Sequence, residues 1–263
     1  MAAIVCSTAV FANDSTKNDI SLRYGIGHLG KQDLIFSPFV HNTWSAVNIG
    51  MRYERKAKLH HYADLSFGTY QPILVPSYTY DDDQRTAPHY FILVNLTYGL
   101  GKALRLSNPK ATLSVGGNAG INLQPSVYSF GSFSSLGYFA FIGVGAWTKF
   151  SYRFSDHHRL DAGLNLPLAG LTARSPYLIN DDEYIENTYS HKGFRTLMAF
   201  LGDGQFRTLN SVQQADLHVQ YTYDINRHWG IGAAYEWQFL HASQPASLIA
   251  YRNIFYLTGA FKF

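Results

Sequence analysis

A chain of 263 residues with net charge +3 and only 15% charged residues is poor in charge for a soluble surface, which usually carries about a quarter to a third Lys, Arg, Asp and Glu. Its basic residues are scattered, with no run of five like charges, which excludes a nucleic-acid footprint. No run of 18 apolar residues occurs, so a transmembrane helix is excluded as well. The 19 Tyr, 18 Phe and 22 Gly point instead to one all-β unit.

Residues 1–12 have the character of a signal-peptide core. Ala2 to Phe11 is a short apolar stretch, and Val10 and Ala12 occupy the two positions that a signal peptidase reads. A basic n-region is missing, as a truncated start would leave it. Cys6 lies inside this segment, so a mature chain of residues 13–263 would form a single domain without thiols, disulfides or Cys-bound metal.

From residue 20 onward the pattern has a period of two. Ile20, Leu22, Tyr24 and Ile26 alternate with Ser21, Arg23, Gly25 and Gly27. Val47, Ile49, Met51 and Tyr53 oppose Asn48, Gly50, Arg52 and Glu54; Leu59 to Phe67 sets its odd residues against His60, Tyr62, Asp64 and Ser66. The segments Tyr90 to Leu100, Ala111 to Leu123, Tyr138 to Lys149 and Arg159 to Gly170 behave alike, as do Gln214 to Asp224, Trp229 to Phe239 and Phe255 to Phe263. Successive strand side chains point to opposite faces, so each segment offers one apolar and one polar face. Ten such strands are predicted.

Their connections sort by length. Arg55 to Lys58, Arg105 to Lys110, Ser155 to His158 and Ile225 to His228 are short. Gly27 to Thr43, Gln71 to Pro88, Gln124 to Ser134 and Ala173 to Leu209 are longer, and His241 to Ala246 falls in the same series. Segments of about ten residues span the hydrocarbon when tilted, and lipid offers backbone groups no partner, so the sheet must close. The fold expected is a closed ten-stranded antiparallel transmembrane β-barrel. Its short turns would be periplasmic and its long loops extracellular. Outward Tyr24, Tyr53, Tyr138, Tyr223, Trp229 and Trp237 are expected at strand ends as aromatic girdles.

The last strand, with Phe255, Leu257, Phe261 and the terminal Phe263, resembles the C-terminal signature of bacterial outer-membrane barrels. That resemblance implies recognition by the barrel-assembly machinery through the strand ending in Phe263. It implies outer-membrane lipid and lipopolysaccharide as surroundings.

On the lumen face the pattern places Arg23, Arg52, Lys149, Arg153, Arg159, Arg252 and Lys262 against Glu54, Asp64, Asp161, Asp216, Asp224 and Glu236. Buried charges of near balance are expected to pair into a network; a narrow polar pore is the other outcome, though bulky Phe139, Phe141 and Trp147 oppose a wide channel. The second long loop carries Asp81 and Asp83, and the fourth carries Asp182 and His191. This layout resembles the omptin proteases, ten-stranded barrels with an Asp pair and an Asp–His pair at the rim, where a His held by a carboxylate activates water. Asp181, Asp182 and His191 do not reproduce the omptin spacing of two residues. Within the same loop, Phe194, Leu197, Met198, Phe200 and Leu201 form an apolar stretch suited to docking a partner protein or capping the lumen. The expected role is binding, adhesion or an accessory part in an outer-membrane assembly, without cofactor or metal; a rim-located hydrolase or a narrow pore is the alternative.

Overall fold

The computed structural model describes residues 18–73, 78–80, 83–85, 88–130, 133–175, 202 and 204–263. The segment read as a signal peptide lies outside them. Ten long strands follow in order: β1 (Asn18–Asp33), β2 (His41–Lys56), β3 (His60–Tyr70), β4 (Tyr90–Arg105) and β5 (Ala111–Leu123), then β6 (Phe139–Arg153), β7 (His158–Arg174), β8 (Val212–Asp224), β9 (Trp229–Ala242) and β10 (Leu248–Lys262). Each pairs antiparallel with its neighbour in sequence. β10 then returns to β1 along an unbroken register from Asp19↔Lys262 to Asp33↔Leu248. The sheet is a closed barrel, and every long strand has two partners.

Three short additions lie at the end opposite the short turns. A hairpin of Ser126–Phe130 and Phe133–Gly137 continues from β4. Gln205–Thr208 pairs with β7, and Tyr78–Tyr80 pairs with Asp83–Arg85.

Faces follow the alternation. Leu22, Ile49, Val144, Ile231, Phe255 and Leu257 are exposed on the outside, while Arg23, Asn48, Lys149, Thr222, Tyr256 and Arg252 are buried inside. Apolar side chains turned outward with charged ones inside invert the arrangement of a soluble protein, and only a lipid solvent makes that favourable. At the short-turn end Trp229 packs on Phe261, and at the other end Trp44 packs on His28, which neighbours Tyr251. Phe261 and Tyr251 are ten residues apart on β10. At a rise of about 3.3 Å per residue and a tilt near 40° that separation is about 25 Å, the height of an outer-membrane apolar belt.

The structure corrects three expectations. Tyr24 does not sit at a strand end: β1 runs nine residues beyond it, which places this ring within the belt. β1 and β2 reach well into the segment read as the first loop, leaving a connection of residues 34–40, and the fifth connection, 243–247, is only as long as the longest turn at the other end, 106–110. Alternation also breaks twice. A bulge opposite Gly25 and Gly27 puts an extra residue into β2, so Trp44 and Val47 both face outward. A second bulge, between Ala169 and Pro167 of β7, turns Leu168 and Leu171 both outward and brings Thr172 and Arg174 inward.

Candidate functional site

The lumen holds the chemistry. Tilted strands bring inward residues from distant parts of the chain to one height, and the charges link by sign. Near the short turns Asp19 pairs with Arg159 (3.4 Å), Arg159 with Asp161 (3.1 Å), and Asp161 with Lys149 (3.5 Å). Lys149 donates to both Glu54 oxygens at 2.6 and 2.7 Å, and Arg52 Nε donates to Glu54 at 2.7 Å. Arg52 reaches Asp64 (3.4 Å), Asp64 meets Arg23 (2.5 Å), and Arg23 meets Glu236 (3.4 Å). Acid and base alternate along this whole chain. Each ion has an opposite charge on at least one side, which is what makes burial of so many charges tolerable.

Above it Gln238 donates to Glu236 at 2.5 Å and accepts from Arg252 at 3.2 Å. The guanidinium of Arg252, 1% exposed, also donates to Tyr70 Oη and Asn48 Oδ1, both at 2.9 Å, while Tyr70 donates to the same Asn48 oxygen at 2.6 Å. Arg252 is therefore held by neutral acceptors. Glycines make room for the large groups. A Cβ at Gly50 would come within 2.7 Å of Arg23 Nε, and one at Gly99 within 2.0 Å of the Tyr62 ring. Tyr62 in turn lies 4.8 Å under the Arg52 guanidinium and donates to Asn165 Oδ1 at 2.7 Å.

Of the lumen residues expected from sequence, Arg23, Arg52, Glu54, Asp64, Arg159, Asp161 and Glu236 share this chain, and Arg252 joins it through Gln238. Asp216 does not join it: among the described residues it forms no ion pair. It instead lines two small cavities of ≈30 and ≈20 Å³, the first walled by Asn95, Asn118, Asn122, Asn165 and Gln214. Each is large enough for a water or two. Lys149, also inward by the alternation, belongs to the chain, and Asp19 and Gln238 complete the network; nothing in the alternation separates those two from other inward polar residues, because partner choice depends on barrel tilt.

Towards the long-loop end the lumen turns dry. Leu29, Phe36, Tyr70, Phe91, Leu93 and Tyr128 form one buried cluster, with Phe36 and Tyr128 stacked at 4.6 Å. His41 packs edge-on against His89 at 4.5 Å. Ser129 N–H donates to His89 Nδ1 at 2.8 Å, and burial holds that imidazole below its ordinary pKa. Lys31 stays buried by donating to Ser126 Oγ at 2.8 Å over the Phe91 ring. A second cluster gathers Phe139, Phe141, Val212, Leu240 and Leu248. Arg174 ties the rim together, donating to Asp33 at 2.9 Å and to the carbonyls of Gln244 and Ala246 at 2.7 and 2.6 Å. No group of three or more His, Cys, Asp or Glu able to hold a metal occurs among the described residues.

The rim candidates fall mostly elsewhere. Asp81, Asp182 and His191, together with Phe194, Leu197, Met198, Phe200 and Leu201, lie outside the described residues. Asp83 begins a short strand whose partner is Tyr78–Tyr80.

A closed barrel with a dry belt outside and a charged, filled interior defines a class: integral β-barrels of the bacterial outer membrane, where this chain resides. One solved structure in particular shares the fold. The outer-membrane protease OmpT of Escherichia coli is similar over 97% of this chain and 99% of its own, with a TM-score of 0.54 at 10% identity. The translocator domain of the autotransporter NalP from Neisseria meningitidis aligns over 94% of this chain and 89% of its own (TM-score 0.46, 11% identity), and Neisserial surface protein A over 94% and 97% (0.36, 10%). No protein-family profile matches the sequence, and comparison with curated proteins gives no significant match.

Proposed function

We propose that the barrel is a closed carrier acting through the connections at its long-loop end, as a binding, adhesion or accessory component of an outer-membrane assembly. The observation that carries this reading is the filled lumen. An alternating ion-pair chain occupies one half and two apolar clusters the other, which leaves the ends of the barrel as the surfaces free to act. Among those connections the fourth, residues 173–208, has the length and the apolar residues Phe194, Leu197, Met198, Phe200 and Leu201 to dock a partner. Long loops on a rigid scaffold usually carry function. Lipopolysaccharide is the lipid expected around that end, and the strand ending in Phe263 is the element offered to the barrel-assembly machinery.

The test is co-purification from membranes after mild cross-linking, comparing the native chain with a variant bearing Leu197→Ser, Phe200→Ser and Leu201→Ser. Loss of a specific cross-linked product supports docking; an identical product pattern overturns it. A second reading, a rim-located hydrolase, draws on the fold shared with an outer-membrane protease and on Asp81, Asp83, Asp182 and His191 in connections at the same end. Cleavage of peptides or lipids by the detergent-purified protein, abolished by His191→Ala, would replace the docking reading with this one.

A further inference from the structure

The two ends of the barrel carry opposite charge. In the long connections Asp81, Asp82 and Asp83 outnumber Arg85, and five acids between Asp181 and Asp203 outnumber Lys192, Arg195 and Arg207. The short-turn end is basic. Its first turn supplies Arg55, Lys56 and Lys58, its second Lys102, Arg105 and Lys110, and the other two Arg153 and Arg227. Asp156 lies in the third turn and Asp224 ends the strand that enters the fourth, and the turns also carry His157 and His228.

Lys56 lies 3.9 Å from Glu54, but four of the other cations are poorly neutralised. Arg55, Lys58, Lys102 and Arg227 are exposed and pair with no acid among the described residues. Acids near this end are already engaged: Asp224 is held by Lys262 at 2.5 Å, and Asp19 by Arg159. Exposed apolar groups interleave with the cations at the same level: Leu59, Leu104, Leu106, Phe154, Ile225 and Trp229. A solvated rim has no use for that mixture. Headgroup depth does, since apolar side chains reach acyl chains there while Lys and Arg extend to phosphates.

We infer that the short-turn rim is a collar for the phosphate headgroups of anionic glycerophospholipids, selecting phosphatidylglycerol-type lipid from a mixed leaflet. Charge complementarity distinguishes this occupant from zwitterionic lipid, whose headgroup has no net charge. Lipid A also bears phosphates, but it would meet the barrel at the acidic end, where the loops repel it unless divalent cations intervene. The collar is independent of what the loops bind.

The experiment reconstitutes the whole protein in phosphatidylcholine vesicles and measures, by spin-label electron paramagnetic resonance, the association of spin-labelled phosphatidylglycerol relative to spin-labelled phosphatidylcholine. A preference of about fivefold is expected, comparable to one basic contact at a membrane surface. It should fall towards parity in 1 M NaCl, where the screening length is about 3 Å. It should also fall in a variant with Arg55→Gln, Lys58→Gln, Lys102→Gln and Arg227→Gln, whose folding is verified by circular dichroism and heat-modifiable gel mobility. Arg207→Gln, at the other end, should keep it. Parity in the native protein, preference retained by the folded quadruple variant, or displacement of phosphatidylglycerol by equimolar lipid A would each overturn the assignment. If the quadruple variant fails to fold, the salt response of the native protein decides.

Discussion

Glu54→Leu removes the most heavily shared acid of the lumen. Its side chain is 7% exposed and receives Lys149 at 2.6 Å and Arg52 at 2.7 Å. Breaking a buried pair from one side typically costs about 3–5 kcal/mol, because the remaining charge loses its partner. Here Lys149 keeps Asp161 at 3.5 Å and Arg52 keeps Asp64 at 3.4 Å, so the low end, about 3 kcal/mol, is expected. Lys149→Met alone should cost somewhat less, since Glu54 retains Arg52. Combining the two should cost less than the sum by about 1–3 kcal/mol, the coupling expected of groups in one network. Reversible urea unfolding from lipid vesicles, followed by tryptophan fluorescence, gives all four free energies. A single-variant loss below about 1 kcal/mol, or additivity within about 0.5 kcal/mol, would refute the view that these charges act as one network.

Three further outcomes follow from the same geometry. Leu257→Arg, at a site 74% exposed in the middle of the belt, should cost about 2–4 kcal/mol in the same unfolding assay, against about 0–1 for Phe261→Arg at the interface; equal costs would misplace the belt. Gly99→Val should cost about 1–3 kcal/mol by displacing the Tyr62 ring, and Tyr62→Leu in the same chain should recover part of that loss. In planar bilayers the native barrel should show no steady conductance step, whereas Phe91→Ala with Tyr128→Ala, which thins the dry cluster, should produce brief openings; a stable native step would contradict a filled lumen.

The strands were legible because lipid and lumen demand opposite chemistry at every second residue. Leu22 and Arg23, or Leu257 and Thr258, declare their faces without any knowledge of partners. That signal fails above the belt, where no lipid enforces it. In the upper part of β1 the inward residues are Leu29, Lys31 and Asp33, a mixture, and the outward ones include His28 and Gln32. This stretch therefore looked like loop although it is paired on both sides. The bulges in β2 and β7 were hidden for a related reason: one inserted residue inverts the parity without leaving a mark in composition.

Charged lumen residues could be named from parity, but not joined. Asp216 sits on the same face as His218 and Gln220, yet among the described residues no cation comes within pairing distance of it, while Lys149 of β6 closes the gap between Asp161 of β7 and Glu54 of β2. Such pairings depend on how far each strand is staggered against the next. Stagger is a property of the closed sheet and not of any segment.

The seam between β1 and β10 tests closure most directly. In deuterated protein in detergent micelles, amide-to-amide nuclear Overhauser contacts should link the hydrogen-bonded pairs of the two strands, Ile20↔Phe261, Leu22↔Gly259 and Ile26↔Phe255. Slow hydrogen exchange should extend along both. Fast-exchanging amides on β1 and β10 with no cross-seam contact, while β2 and β9 keep theirs, would mean an open sheet with free edges and would contradict the barrel.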